Sequence, residues 1–244
     1  MFLFPGMFSH RTASFQNCSH PSSSSSLSDA QRNSLDEARK NYEVPLPADL
    51  GQGHAENQQR VAQAIGAWFD AQPGVVFAQD RPARLAEHLY TLLKEARFNP
   101  DVYLPRDAHH PMGYGKYLLY TDDNAGLPYC LQVFAFSGGQ KTPIHDHPCE
   151  CTSVVFQGTL KERLYRALPD GTAFKYAKRH RAAGSTEALH PNVPNIHSLK
   201  NNSQEAGAVS VHLYRLDGVG APAAVQSVYR PPAKADDTPR VRQN

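Results

Sequence analysis

Nowhere does the chain hold an apolar run near the roughly 18 residues that a membrane helix requires, so no spanning segment is expected. Net charge is nearly lacking as well: +2 over 244 residues gives no reason to expect nucleic acid or an anionic membrane as a partner. Cysteine is sparse. Four in a chain of this length do not make a disulfide framework, and a reducing, cytoplasmic setting is the expectation. Acidic residues are missing from positions 1–28, where an apolar "MFLFPGMFSH", interrupted by Pro5, precedes "PSSSSSLS". With no charged region ahead of the apolar stretch this is a poor secretory signal, and a disordered or weakly targeting tail is expected there. What is present suffices for a core, since 40% of the residues are hydrophobic and 9% aromatic. One domain is expected over 29–230, as a monomer, with a loose tail at 231–244.

The periodicity changes once along the chain. "AQRNSLDEARKNY" follows a capping Ser28-Asp29 and ends before Pro45 and Pro47. "NQQRVAQAIGAWFDA" carries Val61, Ile65, Trp68 and Phe69 at helical spacing, and "RPARLAEHLYTLLKEARF" repeats the pattern with Leu85, Leu89, Leu92 and Leu93. Residues 29–98 therefore read as a helical amino-terminal segment. From Tyr117 the period is two: "YLLYT", "YCLQVFAF", "TSVVFQG", "LKERLYRAL" and "AVSVHLYRL" are short, rich in β-branched and aromatic residues, and separated by turn formers. Strands at this spacing, over about 114–230, indicate a β-sandwich or small barrel.

Two polar constellations interrupt that pattern. In "TPIHDHPCECTSVVFQG", His145 and His147 are one residue apart, so on a strand both imidazoles point to one face and Asp146 to the other. Facing the inside of a barrel, two neutral ring nitrogens would converge where a divalent metal could sit, with His197 of "PNIHSLKNN" as the third ligand. In "AVSVHLYRL", Ser210, His212 and Tyr214 share one face between apolar residues on the other. Such a row is costly inside a protein unless its members bond one another or line a wet cavity. A serine-hydrolase triad does not fit, because the three share one strand and no nucleophile turn is evident.

The spacing from Gly139 through His145-Asp146-His147 to Gly158, with His197 three residues before Lys200-Asn201, resembles the two cupin motifs. The resemblance implies a mainly β, double-sheet barrel carrying the helical amino-terminal segment. Most cupins also place a metal-binding glutamate after the histidine pair; counted back from Gly158 that slot is Cys151, and Glu150 would face away. Three neutral imidazoles leave the ion its full charge and open positions, which suits a thiolate and O2 on iron(II); zinc on the same ligands would activate water.

With "FQGTLKERLY" and "SVHLY" added, the segment from about Tyr114 to Tyr214 resembles the thiol dioxygenases, and the cysteine dioxygenase family in particular. That resemblance implies Fe(2+) on His145, His147 and His197, and a relay of Ser210, His212 and Tyr214 behind the substrate. It also implies a thioether between Cys151 and Tyr214, with Cys149 the alternative by position. The substrate carboxylate would be held at Tyr114 and Lys116 of "YGKYLLY", where the family usually has arginine. Cysteine and O2 are the implied partners. Another small thiol carboxylate (3-mercaptopropionate or mercaptosuccinate), a zinc cupin hydrolase or isomerase, and a non-catalytic cupin sensor remain alternatives.

Overall fold

A computed structural model of the chain describes residues 50–71, 81–104, 114–122, 129–147, 149–190, 195–215 and 228–231. The helix expected at 30–42, the tail at 1–28 and all but the first residue of the tail at 231–244 lie outside these. Helix α1 spans Gly51–Asp70 and helix α2 Arg81–Glu95. Among the described residues ten strands follow: β1 Gly115–Asp122, β2 Tyr129–Phe136, β3 Ile144–His145, β4 Cys151–Gln157, β5 Thr159–Ala167, β6 Ala173–Ala182, β7 Thr186–Leu189, β8 His197–Asn201, β9 Ala208–Arg215 and β10 Val228–Tyr229. They form two antiparallel five-stranded sheets, ordered β1-β2-β9-β4-β7 and β10-β3-β8-β5-β6. The mainly β, double-sheet barrel with helices on its amino-terminal side is the cupin architecture that the motifs implied.

Alternation in the strands sorts their side chains between two cores. Leu131, Val133 and Ala135 of β2, with Val209, Val211 and Leu213 of β9, leave the first sheet outward and meet Val61 and Ile65 of α1 and Leu85, Leu89, Leu92 and Leu93 of α2. Each of the valine, leucine and isoleucine side chains among them contributes roughly 1.5–3 kcal/mol through burial. The opposite residues of the same strands, Cys130, Phe134, Phe136 and Tyr214, enter the barrel with Cys151 and Val155 of β4 and pack with Leu160 and Leu199 of the second sheet. No described helix is long and apolar enough to cross a membrane.

Two departures from the expected elements have local causes. Helix α1 begins six residues before Asn57, in a stretch with two glycines and no apolar stripe. Buried polar contacts hold that turn instead: Asn57 donates from Nδ2 to Asn99 O at 2.9 Å and accepts the Asn99 N–H at 2.9 Å, while His54 Nδ1 lies 3.0 Å from the Tyr103 hydroxyl. Strand β6 was not expected, because "AFKYAKRHRA" has no clean apolar alternation. It is an edge strand of its sheet, and lysine and arginine on an edge discourage pairing with another chain. Between β4 and β5, Gly158 adopts φ +75°, and a Cβ there would lie 2.7 Å from Gly207 O, so the motif glycine answers both a left-handed turn and a close backbone approach.

Candidate metal centre

Strand β3 is only two residues long, yet it pairs His145 directly opposite His197 of β8. His147 follows β3, and its backbone is clamped by Asn195, which accepts the His147 N–H at 3.3 Å and donates to the His147 carbonyl at 3.0 Å. The three imidazoles are buried, and one ring nitrogen from each lies within 4.8 Å of the others. Their rings meet edge to face or tilted, with centroids 4.6–5.1 Å apart. All three histidines expected as ligands are thus brought together.

Hydrogen bonds fix two of the tautomers. His145 donates from Nδ1 to the Pro143 carbonyl at 3.0 Å, leaving Nε2 bare. His197 Nδ1 lies 2.8 Å from Oε1 of Glu162, a residue of β5 that is 0% exposed. Burial alone would raise the pKa of Glu162, but the His197 bond and the neighbouring charges of Arg181 and Arg179 outweigh it and hold the carboxyl at about 2. An ionised carboxylate only accepts, so His197 carries its proton on Nδ1 and turns a lone pair inward. His147 Nε2 sits 3.0 Å from that lone pair. Burial holds His145 neutral, well below the ordinary histidine range, with neighbouring positive groups adding to the effect. Three ring nitrogens gathered at one point are a donor set that a divalent cation fits.

Across the barrel the second constellation lines up in rows. Tyr214 of β9 stands between Cys130 of β2 and Cys151 of β4, each its direct cross-strand partner. One pleat along, His212 stands between Gln132 and Ser153. Ser210 Oγ lies 2.9 Å from His212 Nε2, and His212 Nδ1 lies 3.8 Å from Cys151 Sγ. Cys151 is in turn the direct cross-strand partner of Tyr214. The described contacts therefore run from Ser210 to His212 and the Cys151 thiol, with Tyr214 paired beside that thiol. Burial is the first cause in each case: it keeps His212 neutral and pushes the Cys151 thiol and Tyr214 phenol well above their ordinary pKa values. The Tyr214 ring lies 5.6 Å from that of His147, which joins this row to the histidine cluster.

The expected substrate contacts flank the same space. Lys116 of β1 is the cross-strand partner of Phe134, with its ammonium 5.9 Å from that ring. Burial lowers its pKa to about 8, against the opposing influence of Cys130, and its charge is felt at both His145 and His212. Tyr114 is buried and stacked on Phe134 and Phe136 at 5.7 and 5.4 Å. Asp146 and Glu150 face elsewhere: Tyr229 donates its hydroxyl to Asp146 at 2.8 Å, and Glu150 pairs with Arg215 at 3.4 Å.

Glu162, Asn195, Arg179 and Arg181 were not singled out in the sequence. Glu162 left one signal: it shares the inward face of β5 with Leu160, where an unpaired acid would be costly. The arginines left none, because "KRHR" on an edge strand reads as solvated charge.

Known structures resemble the barrel. An oxalate oxidase in complex with the substrate analogue glycolate shares 20% identity over 48% of this chain and 58% of its own, with a TM-score of 0.36. A conserved protein with a double-stranded β-helix domain from Klebsiella pneumoniae shares 17% over 50% of this chain and 91% of its own, at 0.38. A cupin 2 conserved barrel protein from Salinispora arenicola shares 14% over 50% and 87%, at 0.36. This chain thus spans less than two thirds of the oxalate oxidase. Residues 113–217, which hold the three histidines, the Ser210–His212–Tyr214 row and Lys116, match the family model for cysteine dioxygenase type I.

Proposed function

We propose that the protein is a cupin-type thiol dioxygenase that holds iron(II) on His145, His147 and His197 and adds both atoms of O2 to the sulfur of cysteine, giving cysteine sulfinic acid. The observation that carries this reading is a converging ligand set of three buried imidazoles with no carboxylate among them. Glu162 stands one residue back, on Nδ1 of His197, where it orients the ring and leaves the centre positively charged. Iron(II) at such a site supplies the one-electron and O2 chemistry that zinc does not.

The chain's own residues bind and orient. Lys116 offers a point charge to the substrate carboxylate; it lacks the planar fork of arginine, so orientation falls more heavily on the walls of the pocket. Tyr114, Phe134 and Phe136 supply a stacked aromatic wall that excludes water. Tyr214, protonated at neutral pH, presents a hydroxyl donor toward the histidine cluster, and the Ser210–His212 pair fixes its neighbourhood without adding charge. Cys151 and Tyr214, direct cross-strand partners, would form a thioether, in which the S–H and a ring C–H give way to an S–C bond and O2 takes the two electrons and two protons.

An oxygen-electrode assay of the iron-loaded protein with cysteine, cysteamine, 3-mercaptopropionate and mercaptosuccinate tests the reading. Cysteine should drive O2 uptake and yield its sulfinate in equal amount, and zinc-loaded protein should do neither. Uptake with none of the four thiols would sink the proposal.

A further inference from the structure

We propose that Arg181 is a positioning residue: a buried guanidinium that ties the histidine-bearing wall of the barrel, through Glu162, to the strand beside the relay, through Ser153, and so fixes His197 and His212 relative to each other. Its consequence for turnover rests on the function proposed above; its structural content does not.

Arg181 lies on β6, only 3% exposed. Its Nη1 donates to Ser153 Oγ at 2.9 Å, and its Nη2 to the Ser153 carbonyl at 2.7 Å and the Ser185 carbonyl at 3.3 Å. Nη1 is also 3.8 Å from Glu162 Oε2. Ser153 is the cross-strand partner of His212, and Glu162 accepts from His197. A single side chain from the second sheet thus spans the barrel between the two functional histidines.

Two simpler roles are already filled. As counter-ion to Glu162, Arg179 is better placed, with Nε 2.8 Å from Oε2 and a second bond of 2.7 Å to Glu187. As a staple between sheets, Arg181 is preceded by backbone bonds: Val155 N–H donates to Ser185 O at 3.1 Å and Gly184 N–H to Val155 O at 2.8 Å. Burying a guanidinium is costly, and its Nε–H, buried too, has no partner among the described residues. The short bonds of Arg181 go to Ser153, and the planar fork that makes them is what lysine cannot reproduce.

The test compares Arg181→Lys, Arg181→Met, Ser153→Ala and Arg179→Met in metal-free protein by the ring-nitrogen resonances of His212, and by Co(II) titration. Arg181→Lys should shift the His212 resonances while Co(II) affinity stays within about threefold of the parent, because the charge near Glu162 is kept. Arg179→Met should do the reverse, weakening Co(II) binding about tenfold, the low end for losing support behind a ligand, with His212 unmoved. Ser153→Ala, which removes only one acceptor, should move His212 in the same direction by less, and it decides the matter if the Arg181 variants do not fold. With iron and cysteine, Arg181→Lys should lower kcat about tenfold and leave KM within about threefold. Unchanged His212 resonances in Arg181→Lys and Ser153→Ala, or equal shifts in the Arg179 and Arg181 variants, would reduce Arg181 to a counter-ion. If O2 uptake fails while the resonances behave as expected, the function falls and the tie stands.

Discussion

On the β8–β5–β6 wall of the barrel the inward side chains include His197, Glu162, Arg179 and Arg181, joined by bonds of 2.8 Å from Glu162 to His197 and to Arg179. Facing them, the β2–β9–β4 wall carries Cys130, Tyr214 and Cys151 in one row and Gln132, His212 and Ser153 in the next. The first wall is built of ions and the second of neutral groups, inside one barrel. Buried charges persist only where each is paired, and here the pairing sits directly behind a histidine that faces the centre. On the other wall burial outweighs what opposes it, so thiol and phenol stay protonated and His212 stays neutral. The proposed reaction, an anionic substrate next to a cation, would gain from that division: one wall fixes the ligands, and the other adds no competing charge.

Removing one member from each wall should break that division most visibly. His197→Ala should weaken Co(II) binding by more than the ~100-fold that losing a supporting partner costs, read by titration of the metal-free protein. Tyr214→Phe should leave metal affinity unchanged and lower kcat with cysteine by about 10²-fold, the scale of a lost donor positioned at the reacting groups. Equal metal loss in both variants would show that the walls do not divide the work.

Acid should separate the walls next. His54, His145 and His212 have folded pKa values below 6.5, so the unfolded chain takes up protons first as pH falls, and stability present above 6.5 is lost below it. Glu162, held at about 2, contributes stability that is present above 4.5 and lost as pH falls from there toward 2. Urea midpoints of metal-free protein should therefore fall in two stages, and Glu162→Gln should abolish the lower stage alone. At the alkaline end, Lys116 loses its charge above about 8, so KM for cysteine should rise there while kcat changes little, and Lys116→Met should flatten that rise.

The smallest effect lies outside the barrel. Arg97 ends α2 with φ 51°, closed by a bond of 2.9 Å from the Phe98 N–H to the Leu93 carbonyl, a cap geometry that favours glycine. Arg97→Gly should raise the urea midpoint, by about 1 kcal/mol of stability, without touching metal affinity or turnover.

Much of the fold was legible beforehand because it depends on period. Strand β2 occupies the "YCLQVFAF" stretch residue for residue, and α2 starts at the arginine where its apolar stripe begins. Among the described residues the elements that escaped notice include those whose residues answer to neighbours: β6 is charged at an edge, β7 is a four-residue edge strand, β3 and β10 are two residues each, and the first turn of α1 rests on Asn57 and His54.

Sequence by itself determined which histidines could meet, since His145 and His147 share a face by alternation and His197 follows in a second motif. It likewise determined that Ser210, His212 and Tyr214 form one row. Only the tertiary structure decided what stands behind them: Glu162 beneath His197, Arg181 reaching from an edge strand to Ser153, and Cys151 between His212 and Tyr214. The reason is physical. Periodicity records which way a side chain points, whereas the pairing of a buried charge depends on what another strand, far away in the chain, brings opposite it.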